Sequence, residues 1–282
     1  MCHNKKILQF LILFSSIFSY SQFYRKDTLR GDFIYLLKAK LNTQSNHIHE
    51  EYFSLQIGDN RAFFASVQSI KADSVYQKIP HKKLDNGAIL ISAKGMSIPK
   101  TKFPYRIIQS GENIQYFRWV AMTALTYKEP IIDNWKLINE SKVINSFNCK
   151  KAEVSYKGRN WIAWYSTEIP FPYGPYKFGG LPGLIIKIVD DKGDYDFELV
   201  KSVSNTKLNG KLTSINIEKY RDAVETTQYK FEKALKNANE NAIGILQNSG
   251  TTIIQGQEIL QQRIKERQLN LKYENPIELS IE

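Results

Sequence analysis

His47-Ile48-His49 places two imidazoles on one face of an extended segment, with Glu50 and Glu51 next in line. Imidazole nitrogens and carboxylates are ordinary zinc ligands, so this run could open a metal site. Of the four histidines in the chain, only His81 remains as a further ligand once His3 is set aside with the N-terminal leader, and no cysteine cluster accompanies the pair. Loop residues facing solvent are the better reading, and no metal or other cofactor is expected. Asp190, Asp191, Asp194, Asp196 and Glu198 form an acidic patch that could attract calcium, but their spacing fails the EF-hand pattern. A hairpin turn followed by a solvated strand face explains the same residues. Cys149 is the lone cysteine beyond Cys2; with no histidine near it in sequence to activate the thiol, it reads as a small half-buried hydrophobe. No G-x-S-x-G elbow, H-E-x-x-H pair or phosphate-cradling glycine loop is present, and the expectation is a protein that is not an enzyme.

A Gly/Pro-rich stretch, Ile169-Pro170-Phe171-Pro172-Tyr173-Gly174-Pro175-Tyr176-Lys177-Phe178-Gly179-Gly180-Leu181-Pro182-Gly183-Leu184-Ile185, is the most distinctive part of the chain. Pro182-Gly183 suits the centre of a type II turn, with positive φ at the glycine. Rigid loops that carry aromatics make good contact surfaces, and Tyr173, Tyr176 and Phe178 are the candidate binding residues. Gly180, Leu181, Pro182, Gly183, Leu184 and Ile185 read as structural.

These residues must be positioned by a mostly β framework. Aromatic content is 12% and hydrophobic content 42%, which suits a globular chain built on strands. Short apolar or alternating runs recur between turn residues: Phe33 to Leu41, Glu51 to Ile57, Arg61 to Ser66, Leu84 to Gly95, Pro104 to Gln109, Asn113 to Tyr127, Trp135 to Ser141, Cys149 to Tyr156, Arg159 to Tyr165, Leu184 to Val189 and Tyr195 to Val203. In the run from Arg159 both faces carry large apolar groups, so that strand should be covered on both sides. A short helix is expected over Ala72 to Lys83. An amphipathic helix is expected over Glu218 to Asn239, and a more polar one over Gln257 to Gln268, after a linker from Gly244 to Gly256. The fold class that follows is mainly β (α+β): a curved antiparallel sheet, shaped as an open half-barrel, with C-terminal helices packed on it. Residues 22–213 would form the β domain and 214–282 the helical region and extended tail.

The address is read from the first residues. Lys5-Lys6 gives a positive start, Ile7 to Phe18 an apolar run, and Ser19 and Ser21 small residues at the −3 and −1 positions. This predicts a secretory signal over residues 1–21, cleaved after Ser21, and a periplasmic or secreted protein. The apolar run is shorter than the ~20 residues a transmembrane helix needs, so no membrane span is expected after cleavage. The net charge of +11 draws the protein to anionic surfaces, but export and the absence of a dense basic stripe argue against a nucleic-acid partner.

The Gly/Pro-rich stretch resembles the GLPGLI family (Porph_ging type), named for the hexapeptide that stands here as Gly180 to Ile185. Gly158-Arg159 before Trp161-Ile162-Ala163-Trp164-Tyr165, the Glu168-Ile169-Pro170 step, Gly174-Pro175-Tyr176-Lys177-Phe178 and Asn275-Pro276-Ile277-Glu278 agree in order. Gly179 departs from the Lys or similar residue expected there. The resemblance implies an exported protein of a Gram-negative envelope, often associated with TonB-dependent outer-membrane receptors, with no established activity or catalytic residue. The functional expectation is a non-catalytic interaction module that assists an outer-membrane transport protein. The alternative is a periplasmic carrier of a lipid or other hydrophobic ligand, motivated by aromatic strands such as Tyr116-Phe117-Arg118-Trp119.

Overall fold

The computed structural model describes residues 25–83, 89–91, 96–203, 205–241, 262, 265, 266, 269 and 271–279. The expected signal peptide and the Gly244–Gly256 linker lie outside the described residues, as do most of the Leu84–Gly95 strand and of the Gln257–Gln268 helix.

In chain order the elements are β1 (Gly31–Ala39), β2 (His49–Ile57), β3 (Arg61–Ser66), α1 (Val67–Tyr76), β4 (His81–Lys83), β5 (Ile89–Ile91), β6 (Tyr105–Ser110), β7 (Asn113–Val120), β8 (Thr123–Pro130), β9 (Lys136–Ile144), β10 (Phe147–Tyr156), β11 (Arg159–Ser166), β12 (Leu184–Asp190) and β13 (Tyr195–Ser202). A helical turn α2 (Asn205–Leu208), a 3-10 turn (Glu218–Tyr220), β14 (Val224–Glu225) and helix α3 (Gln228–Glu240) follow. Twelve strands form one sheet in the order β14-β8-β7-β6-β3-β2-β1-β13-β12-β11-β10-β9, and β4 and β5 form a separate hairpin. Among the described residues every pairing is antiparallel except β14 on β8, and the sheet is not closed into a barrel. It consists of two meandering arms joined where β1 pairs with β13, with Phe33 opposite Ser202 and Ala39 opposite Tyr195.

Turn chemistry accounts for the hairpins. Lys157 (φ +49) and Gly158 (φ +79) form the two-residue connection between β10 and β11, the positive-φ pair of a type I′ turn. The expected single strand from Asn113 to Tyr127 is two strands. Val120 pairs with Thr123 and Ala121 takes φ +52, so Ala121-Met122 is a turn without the usual Gly or Asn. The first expected helix starts earlier, because Ser66 caps α1 by accepting from the Ser69 amide. The expected helix from Glu218 is interrupted. The Thr226 amide donates to the Thr126 carbonyl and draws Val224–Glu225 into the sheet, and Thr227 then caps α3 through the Lys230 amide. Three of the four residues from Val224 to Thr227 are β-branched, which favours extended backbone here.

Alternation divides the side chains between two faces. Phe63, Ala65, Ile108 and Phe117 point to one side and pack with Ile215, Ile217 and Tyr220. On this side Arg106 is fully buried and paired with Asp73 of α1 at 2.8 Å. The other face carries the larger core, which runs from Phe53 and Tyr105 to Trp161, Phe178 and Phe197 and includes Phe231 of α3. Trp164 is buried on the side of β11 away from Trp161, under the Lys142 ammonium 3.8 Å from its ring centroid. Among the described residues no helix is long and apolar enough to cross a membrane.

Candidate functional site

The segment between β11 and β12 is held by local chemistry before it meets anything else. Hydrogen bonds from the amides of Phe171, Tyr173 and Gly183 to the carbonyls two residues earlier, each 2.8 Å, span Pro170, Pro172 and Pro182. These are three-residue turns of the inverse γ form, whose central φ near −75° a proline ring already supplies. The expected type II turn is therefore not formed, and Gly183 is absent from the positive-φ glycines. Gly183 is required for a different reason: a Cβ there would overlap the backbone carbonyl of Ser166. Positive φ falls instead on Gly180 (+84°), where a Cβ would also lie 2.5 Å from the Ile132 carbonyl oxygen. Gly183→Ala should cost about 1–3 kcal/mol through this backbone overlap, read as a lower urea midpoint with an unchanged slope.

The side chains of this segment point inward. Phe178 is fully buried against Trp161, with ring centroids 4.6 Å apart, and also touches Tyr156, Trp135 and Tyr176. Tyr176 is buried too, and Tyr173 is half-buried, so the expected contact residues do not form an outer surface. The reason is that the segment lies under the larger core face, where three proline-shaped turns fold its aromatics inward. Tyr176 holds φ +55, a costly state for a bulky residue. Gln109 of β6 donates to its carbonyl at 2.9 Å and, at 3.3 Å, to those of Gly174 and Phe178. The Trp135 indole donates to the Gly179 carbonyl at 2.9 Å.

Lys177 carries the least expected chemistry. Its ammonium is fully buried and ion-paired with Glu129 of β8 and Glu278 of the tail, each at 2.5 Å, and it donates to the Tyr127 hydroxyl at 2.9 Å. Burial opposes the charge, but Glu278 and Glu129 outweigh it and hold the amine above its usual range. Glu278 also accepts from the Tyr176 hydroxyl at 2.6 Å and from Gln228 of α3 at 2.8 Å. A second latch holds the same tail. Arg159 pairs with Asp190 at 2.6 Å and donates to the Asn275 side chain at 2.6 Å and the Pro276 carbonyl at 2.7 Å. The Tyr195 hydroxyl donates to the Asn275 carbonyl at 2.5 Å. Asp190 is thus a buried ion-pair partner and not a solvated turn residue. Asp196 and Glu198 pair with Lys187 at 3.0 and 2.5 Å.

The tail and α3 stand off from the sheet and leave an open cleft of about 1300 Å³. Phe103, Tyr105, Tyr116 and Tyr127 line the sheet wall, Leu235 and Glu232 the helix wall, and Ile277 the tail. Tyr116 and Tyr127 stack at 5.1 Å, with Phe231 closing behind them. Burial raises the Tyr105 hydroxyl well above its usual range and pushes the Glu232 carboxyl toward its neutral form. His47 and His49 stand at one rim; His47 is exposed and His49 lies 3.0 Å from the buried Glu51 carboxylate. Among the described residues no group of three His, Cys, Asp or Glu side chains is placed to hold a metal ion. Burial pushes the Cys149 thiol up to about 11, which keeps it protonated at neutral pH.

Residues 154–187 match the family described as "Protein of unknown function (Porph_ging)", the type that the Gly180 to Ile185 hexapeptide resembles. No curated protein matches the chain. Among solved structures, two crystal forms of PNGF-II, in space groups P21 and C2, are similar over 74% of this chain, at 12% and 13% identity and a TM-score of 0.45 each. The chain spans about a third of their length, 34% and 33%.

Proposed function

We propose that this is an exported, non-catalytic binding protein that carries a lipid or other hydrophobic ligand in the cleft between the sheet, α3 and the tail. The single observation behind this reading is the cleft itself, a space of about 1300 Å³ lined by aromatic side chains of one sheet face. The signal-like first residues support the exported address. We further propose that the sheet is rolled into an open half-barrel around this space. Laid flat, the ten strand spacings from β8 to β9 would separate them by ~48 Å. The link from Pro130 to Lys136 is six residue steps, a reach of ~20 Å, which supports two strands curled toward each other. Native mass spectrometry on protein purified from the bacterial envelope tests the carrier reading. A bound mass that organic extraction removes is the expected result. A bare polypeptide that also fails to take up an uncharged apolar dye would reject the reading.

A second reading, an interaction module for an outer-membrane transport protein, draws on β9. Among the described residues this strand ends the sheet with one edge unpaired, and it exposes Leu137 and Val143, which suits addition of a partner strand. Crosslinking in the intact envelope that recovers no membrane protein would remove it.

A further inference from the structure

Among the described residues, two polar groups in the cleft have no partner. Tyr105 is 4% exposed and its hydroxyl makes no hydrogen bond. The Nε of Arg118 is likewise buried without a partner, and Arg118 forms no ion pair among the described residues. The two residues are direct partners in the β6–β7 ladder, so their side chains leave the sheet side by side into the cleft. Buried donors without acceptors are uncommon and costly, because each has given up water for nothing. Lys177, the buried ammonium near this wall, is already neutralised by Glu129 and Glu278, whereas Lys102, Lys236 and Lys272 lie along the cleft's lining. Glu232 on the helix wall feels the Arg118 charge, but burial disfavours its own.

Resting on the carrier reading, we propose that the cleft takes a single-chain carboxylic acid, with the carboxylate on Arg118 and Tyr105 and the apolar chain along Tyr116 and Leu235. A guanidinium beside a phenol offers donors in one direction, which matches a carboxylate's two oxygens. One buried guanidinium nitrogen and one buried hydroxyl suit a single negative charge, and Glu232 across the cleft would oppose a second one, as on a phosphate monoester.

The test is displacement of an uncharged naphthylamine dye from the mature protein by dodecanoate, dodecan-1-ol, dodecyl phosphate and dodecyltrimethylammonium. Dodecanoate should bind best, tighter than the alcohol by roughly tenfold or more. Arg118→Met keeps the apolar stem and should remove that preference, weakening dodecanoate by roughly tenfold and the alcohol far less. Tyr105→Phe deletes only an unpartnered hydroxyl, so it should fold as before and weaken dodecanoate by several-fold. Equal binding of acid and alcohol, or preference for the ammonium or the phosphate, would overturn the head-group assignment and leave the carrier reading standing. A protein that binds neither the dye nor any of the four probes would overturn both.

Discussion

Lys177→Met should destabilise the fold by about 3–5 kcal/mol, because the change leaves Glu278 inside the protein without its ammonium partner and Glu129 with only Lys157, at 3.6 Å. The methionine nearly fills the lysine's volume, so lost packing contributes little. Urea unfolding of the single variant should show a large drop in midpoint. The triple change Lys177→Met, Glu129→Gln, Glu278→Gln separates charge from shape. It removes both carboxylate charges while the amide at 278 still accepts from Tyr176 and Gln228. Recovery of most of the loss in the triple variant is the expected outcome. A triple variant as unstable as the single one would mean that the ammonium acts by some route other than pairing.

Phe178→Ala should cost a similar ~3–5 kcal/mol, for a different reason. The ring is fully buried among Trp135, Tyr156, Trp161 and Tyr176, and four large neighbours held by separate strands and turns cannot all collapse into the space it leaves. Phe178→Leu keeps most of the volume and should cost less than about 1.5 kcal/mol. Tyr173→Ala, on the half-buried side of the same segment, should fall well below Phe178→Ala. Thermal unfolding of the three variants reads this order directly. Equal effects at 173 and 178 would contradict the inward packing of the segment.

Much of the strand inventory was legible because hairpins announce themselves locally. The runs Glu51 to Ile57 and Arg61 to Ser66, which pair as β2 and β3, and the strand from Tyr195 to Val203 after its acidic turn each depend on a few neighbouring residues. Where the local signal was atypical the reading failed: Ala121-Met122 turns the chain with no residue that usually does so, and the strands on either side looked continuous. The site was less legible, because its chemistry joins residues far apart in sequence. A lysine in a loop reads as exposed, since lysines are rarely buried. Nothing near Lys177 in the chain shows that Glu129 and Glu278 will neutralise it. One signal was available: Gly158-Arg159, Tyr176-Lys177 and Asn275-Pro276-Ile277-Glu278 all belong to the stretches that resemble one family, and they carry opposite charges. They meet in the structure as the two tail latches.

The joining of the arms at β1 and β13 has a kinetic consequence. β1 is made early, yet one of its two edges waits for a strand that follows more than a hundred and fifty residues later. Until β13 arrives, Phe33 to Ala39 has β2 on one side and a bare backbone edge on the other, open to pairing with another molecule. A chain exported as proposed, N-terminus first, would pass through this half-finished state every time. Refolding from urea should therefore be slow and sensitive to protein concentration, with aggregates competing against the closing of that one seam.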